Sequence, residues 1–291
     1  MFRIRHIEIF HAVMQAGTVK GAADMLHITQ PAASRLLQQA EQSVGVSLFQ
    51  RVRGRLVPTT EAQRLFPEVE LLYTQLDAVR RTAAHLDAGS DTVLRLLCVP
   101  ALTLQYLPSA LGRWRRWHAE VRLNFRTLHS AQIADAIVRR EAELGFALVP
   151  SSHPAVIKQV VATGRIVCVG HDVPVEGVPV ESLAGRPVID LDAADPIGRQ
   201  LHALYRTHEV SPDAAVTTHS YHAAIEMAHA GFGWAIVDSW SARYARGLPA
   251  LSVAPLEPEI PVSVYALRSR DIPTSAAIDD LVVNMAAALK A

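Results

Sequence analysis

In the segment Thr29-Gln30-Pro31-Ala32-Ala33-Ser34-Arg35, polar and small side chains recur where one face of a helix would present them to a partner. Gln30 suits an adenine edge, Ala32 a thymine methyl, and Arg35 either a guanine or a phosphate, with Ser34 on the same face. The bland alternative is a solvated helix face in which Gln30 caps a turn. Thr18 and Thr29 read as helix N-caps, positions whose neighbouring N–H groups also suit phosphates. Arg51, Arg53 and Arg55 alternate around Gly54, a spacing expected of a β-wing that aims all three arginines the same way. Such arginines suit phosphates or the minor groove better than base edges, and Arg51 is the one best explained by packing.

A second set of residues stands where strand-like runs give way to helix-like ones. It comprises His129 and Ser130, then Asp192, Asp195, Pro196, Ile197 and Gly198, and further on His219, Ser220, Tyr221 and Asp238. Ligands of open α/β sheets bind at such strand ends. Helix N-termini suit a carboxylate, and Asp192, Asp195 and Asp238 suit an ammonium or guanidinium, although each aspartate can equally be a helix cap. That pairing predicts a small amino acid or amino-acid-derived carboxylate as ligand, with a basic one favoured. Catalytic chemistry finds no support: HExxH, GxSxG and P-loop patterns do not occur, and Cys98 and Cys168 form no CxxC pair. The expectation is no enzyme, no metal and no cofactor. Trp114 and Trp117, with arginines between them, read as a packed helix with a solvated rim.

The elements that must position these residues follow from periodicity. Residues 4–16 suit an amphipathic helix with Ile4, Ile7, Phe10, His11 and Met14 inward, ended by Gly17. A short helix at 19–26 and a third at 30–44, with Pro31 in its first turn, complete a helix-turn-helix. From Thr60, read as the cap of a capping box with Gln63, the residues Leu65, Val69, Leu72, Leu76, Val79, Ala83 and Leu86 follow a four–three spacing. That spacing predicts a helix that pairs with another helix, interrupted near its start by Pro67 and ended at Gly89-Ser90. Beyond residue 91 strand and helix alternate, with apolar runs at 93–99, 121–127, 144–149, 156–162, 165–171, 187–191, 214–220, 234–238 and 261–268. Two α/β lobes joined by crossing strands account for this order, and the cleft between them is a natural ligand site. The predicted domains are 1–59, 60–89 and 90–291, with one lobe at about 90–162 and 267–291 and the other at about 163–266.

The formal net charge of zero conceals an asymmetry, because residues 1–58 carry seven basic against three acidic side chains. That basic end suits a nucleic-acid partner, since local positive charge displaces counterions from phosphates. Half of the residues are hydrophobic and 19% are charged, which excludes bulk disorder. No run reaches the roughly 18 apolar residues of a membrane helix. The N-terminus MFRIRHIEIF does not read as a secretory signal, so the cytoplasm is the expected compartment.

Residues 5–59 resemble the DNA-binding region of the LysR-type regulators. The AA pair at 22–23, TQPA at 29–32, Ser34-Arg35, Glu41, Val44-Gly45, LFQR at 48–51 and the closing Pro58-Thr59 carry that resemblance. Threonine replaces the commoner serine at 29, and Val-Gly replaces Leu-Gly. HIEIFHAVM together with LFQRVRGRLVPT is similar to the branch of lysine-biosynthesis and opine or basic-amino-acid regulators. The resemblance implies a winged helix-turn-helix, a linker helix used for dimerisation and a two-lobed effector domain like the periplasmic binding proteins. In such a domain the turn Pro100-Ala101-Leu102-Thr103 would line the cleft. It further implies double-stranded DNA, a small-molecule effector, a second copy of the chain in a dimer or tetramer, and RNA polymerase as partners. Two rival readings are an architectural DNA binder without effector and a winged helix fused to a catalytic α/β domain.

Overall fold

A computed structural model describes residues 2–52, 55–85 and 93–290, side chains excepted at 55, 74–75 and 77–85. The chain divides into two units, Met1–Asp87 and Ala88–Ala291. In the first, α1 (Ile4–Ala16), α2 (Val19–Met25) and α3 (Gln30–Val44) surround a small core. Gly17 ends α1 at φ 67°, a left-handed conformation that glycine adopts without a Cβ penalty. Thr18 then caps α2 by accepting the Gly21 N–H at 3.0 Å, and Thr29 caps α3 by accepting the Ala32 N–H at 3.4 Å. Ile9, Phe10 and Val13 of α1 pack on Ala22, Ala23, Ala33 and Ala40, whose small side chains let the helices approach. Ile4, expected inward, is 73% exposed. It precedes Val13 by nine residues, about two and a half turns, and so lies on the opposite face.

Glu41, near the end of α3, accepts the N–H groups of Leu48 and Phe49 at 2.8 and 3.1 Å, tying that helix to the wing. The wing pairs β1 (Phe49–Val52) with β2 (Arg55–Pro58), Val52 opposite Arg55 and Arg51 opposite Leu56. Directly opposed residues share a face of an antiparallel pair, so positions 51 and 55 lie on opposite faces. This corrects the expectation of three aligned arginines, because alternation counted along the chain does not survive its reversal. Arg53 and Gly54 lie outside the described residues.

A long helix, α4 (Thr60–His85), runs unbroken through Pro67. Its cap is Thr59, one residue before the expected Thr60: the Thr59 hydroxyl accepts the Ala62 N–H at 3.3 Å, and its carbonyl accepts from Gln63. The first half of α4 packs on α1, where the His11 ring stacks on Tyr73 at 3.8 Å between centroids and reaches Glu70 at 2.6 Å. Val69 is buried in this same core and Leu65 is half-buried against it, which removes both from the seam expected to face a second helix. The Val79 side chain and Leu86 lie outside what is described.

The second unit runs β3 (Val93–Cys98), α5 (Tyr106–Trp114), β4 (Arg122–Thr127), α6 (Ser130–Val138), β5 (Leu144–Ala147), β6 (Val156–Gly170) and β7 (Val178–Pro179). It continues with β8 (Pro187–Leu191), α7 (Pro196–Thr207), β9 (Asp213–Thr218), α8 (Tyr221–His229), β10 (Trp234–Asp238), β11 (Ser252–Glu257), β12 (Pro261–Ser269) and α9 (Ala276–Lys290). The strand order is β4-β3-β5-β12-β6-β10-β8-β9, with β11 also on β6. The two apolar runs expected at 156–162 and 165–171 are one strand, β6. Its residues 156–165 pair with β12, and its far end pairs with β10 and β11 from Ile166 onward. The chain therefore changes lobe at 165–166 and returns at 260–261, rather than at 162–163 and 266–267.

Interior strands covered on both faces account for the continuous burial of β5 and β10, each of which has one parallel and one antiparallel neighbour. Across the first lobe, the Trp114 indole N–H donates to the Ala277 carbonyl at 2.7 Å, fastening α5 to α9. Among the described residues, no helix is long and apolar enough to cross a membrane.

Candidate functional site

Two surfaces carry the chemistry expected from the sequence. On α3 the buried residues are Ala33, Leu37 and Ala40. The helical period therefore leaves Gln30, Pro31, Ser34 and Arg35 exposed, with Ala32 half-buried beside them. A glutamine amide, a methyl and a guanidinium thus share the open face of the second helix of a helix-turn-helix, the member that enters the major groove. Arg51 is exposed as well.

In the second unit, a small, partly enclosed cleft lies between the lobes. The first lobe lines it with Val99, Pro100, Ala101, His129, Ser130 and Leu148; the second supplies Asp195, Pro196, His219 and Tyr221. Three of its polar residues are held by local structure. The buried Ser130 hydroxyl, at the start of α6, accepts the Leu148 N–H at 3.1 Å, and its own proton is left to donate. Asp195 caps α7, accepting the N–H groups of Ile197 and Gly198 at 2.8 and 3.2 Å. Gly198 is required there, because a Cβ would collide with the backbone carbonyl of Asp192. The Tyr221 hydroxyl donates to the Asp195 carboxylate at 2.9 Å. Burial, and then the neighbouring Asp195 charge, hold the Tyr221 phenol well above its ordinary value, so it stays a neutral donor.

Seven residues expected at the ligand site therefore do line one cavity, and the others do not. Leu102 belongs to the apolar core, as does Ile197, while the Thr103 hydroxyl turns back to the Pro100 carbonyl at 2.8 Å. Asp192 accepts the Ala194 N–H at 2.7 Å, and Ser220 caps α8 through Ala223. Asp238 is wholly buried and accepts the N–H groups of Trp240 and Ser241, both at 2.9 Å. It is a cap, and its placement away from the cavity corrects its reading as a ligand's cation partner. Val99 and Leu148 were not singled out from the sequence; both stand at strand ends, and that rule applied to apolar residues would have found them. Tyr106, also unforeseen, joins the lobes by donating to the Trp240 carbonyl at 3.0 Å, and burial pushes its phenol up to about 12.

Residues 4–63 match the family described as "Bacterial regulatory helix-turn-helix protein, lysR family", and residues 87–289 match "LysR substrate binding domain". The chain belongs to the LysR family. Members of that family are transcription regulators and not enzymes. The Transcriptional activator protein LysR of Escherichia coli is 32% identical over 94% of this chain and 89% of its own length. The octopine catabolism/uptake operon regulatory protein OccR of Rhizobium meliloti is 25% identical, over 82% of this chain and 80% of its own. Both lie on the side of the LysR family that the N-terminal motifs indicated. Full-length CbnR, solved in complex with its target DNA, superposes with a TM-score of 0.65 at 17% identity, covering 98% of this chain and 99% of CbnR. The shared architecture is a helix-turn-helix, a linker helix and an α/β substrate-binding domain.

Proposed function

We propose that this LysR-family chain is a cytoplasmic, sequence-specific transcription regulator whose cleft takes an amino acid or an amino-acid-derived carboxylate. The observation that carries this reading is the pairing, across one cavity, of the Ser130 hydroxyl from the first lobe with the Asp195 carboxylate from the second. A zwitterion matches both ends: its ammonium suits Asp195, and its carboxylate suits Ser130 and the start of α6. The octopine operon named for OccR supports the same ligand class. One aspartate lines the cavity where three were expected, which serves an α-ammonium and leaves none for a basic side chain; a basic effector is no longer favoured. On DNA the chain would act as a dimer or tetramer in contact with RNA polymerase.

Gln30→Ala and Arg35→Ala should each lower the discrimination between cognate and random duplex by about 1–3 kcal/mol. Arg53→Ala should instead weaken binding to both alike and flatten its salt dependence. Fluorescence anisotropy isotherms at several salt concentrations separate the two behaviours. If specificity survives both α3 substitutions, that helix does not read the bases.

Assembly rests on the outer part of α4, where Leu71, Leu72 and Leu76 are 39%, 43% and 38% exposed. A second α4 would cover that strip. The double variant Leu72→Asp, Leu76→Asp should sediment as a monomer with its helical content intact, because unpaired charges are strongly disfavoured in an apolar seam. Val69→Asp should unfold the first unit instead, since Val69 is buried in its own chain's core. Wild-type sedimentation of the double variant would eliminate this seam.

A further inference from the structure

We infer that His129 and His219 form a two-sided grip on an acid group of the effector and select for carboxylate-bearing ligands. This rests on the cleft being the effector site. His129 immediately precedes α6 in the first lobe, and His219 stands just before α8 in the second. Both line the cavity, and their ring centroids are 6.3 Å apart at an interplanar angle of 62°. With charge-assisted N–H···O lengths of about 2.8 Å, two rings at that separation can converge on one carboxylate from opposite lobes.

The charges around them leave this task to the imidazoles. The cavity lining holds neither lysine nor arginine. Its one carboxylate, Asp195, already accepts two α7 amides and the Tyr221 hydroxyl. Beside the cavity, Asp192 Oδ2 lies 3.6 Å from His219 Nε2. Asp192, Asp195 and the neutral Tyr221 phenol are the titratable groups that face the pair from α8 and the loop leading into α7. An ammonium therefore goes to Asp195, and an acid goes to the two rings, with Ser130 beside them. Because the rings come from different lobes, the ligand's acid links the lobes as it binds. An imidazolium donates from both ring nitrogens and carries charge, so the protonated pair holds an acid more tightly than the neutral pair.

Calorimetric titration of the full chain with L-glutamate, succinate and cadaverine, at about pH 6 and about pH 8, tests the grip. Wild type should bind at least one of the two carboxylates, more tightly at the lower pH, and should not bind the diamine. His129→Gln and His219→Gln should each weaken that binding about ten-fold or more, the loss of one charge-assisted hydrogen bond, and should reduce its pH dependence. Unchanged melting of the ligand-free Gln variants establishes that they fold. Tyr221→Phe and Ser130→Ala report on the cleft itself. A carboxylate that is weakened by those two changes but not by the histidine changes leaves the cleft as the site and overturns the grip. Affinity unchanged in all four variants overturns both. Binding of neither carboxylate, or equally tight binding of cadaverine, also overturns the grip.

Discussion

Trp114→Ala should destabilise the second unit by about 3–5 kcal/mol, whereas Trp117→Ala, three residues along, should change it by less than about 0.5 kcal/mol. The two indoles share a sequence context, WRRW, but not a surrounding. Trp114 is 1% exposed and Trp117 is 81% exposed. The Trp114 ring fills the contact between α5 and α9, and its N–H satisfies the Ala277 carbonyl. Truncation removes that apolar volume and one buried hydrogen bond at the same time. A loss of this size is a large fraction of the 5–15 kcal/mol that typically separates folded from unfolded domains. Trp114→Phe should fall between the two, restoring much of the packing but not the donor. All four tryptophans lie beyond residue 100, so intrinsic fluorescence during guanidinium unfolding follows this unit alone. Equal losses at 114 and 117 would contradict the packing described.

The helix-turn-helix was legible because its signals are local. Thr18 and Thr29 as caps, Gly17 as a stop and paired alanines at the crossings each depend on residues within a few positions. The wing was misread for the opposite reason: positions 51 and 55 end on different faces because the chain reverses between them, and period-two reasoning holds only within a strand. In the second unit β11 escaped notice because Pro255 interrupts its run, and proline argues against a strand unless the strand can spare a donor. The single strand β6 was divided at Gly164, which gives no sign that β12 continues the pairing on either side of it. At the ligand site, sequence logic located strand-to-helix junctions but could not tell which ones face the cleft. Asp195 and Asp238 illustrate the limit. Both follow a strand and cap the next turn, yet one lines the cavity and the other is sealed behind it, a difference set by how the sheets pack.

Asp238→Asn should stabilise the second unit at neutral pH by about 1–3 kcal/mol, the range for relieving an ill-satisfied buried polar group. The Asp238 carboxylate is 0% exposed at the end of β10, opposite Ile166, where β6 changes lobe. One oxygen accepts the Trp240 and Ser241 amides. The other oxygen and the Ser241 hydroxyl are buried near one another, close enough for the hydroxyl to favour the carboxylate, but neither makes a well-formed hydrogen bond among the described residues. Burial raises the Asp238 carboxyl above the usual carboxylate range, and the bonds from Ser241 and Trp240 offset this in part. The sign of the pH dependence follows. Below about 3.9, the value of an unfolded aspartate, both states hold the proton and linkage costs nothing. As pH rises toward the elevated folded value, the unfolded chain releases its proton first and is favoured, so stability falls and then levels off. Asparagine does not titrate, keeps an oxygen for the two amides and brings an N–H donor to the Ser241 side. The stability difference between variant and wild type should therefore grow from about pH 4 upward and reach its plateau above the folded value. Fluorescence-detected unfolding at successive pH values measures that difference directly. Effector affinity should not change, because Asp238 is absent from the cavity lining. An asparagine variant less stable than wild type at neutral pH, or a difference that is flat with pH, would mean that the charged carboxylate is fully compensated where it lies.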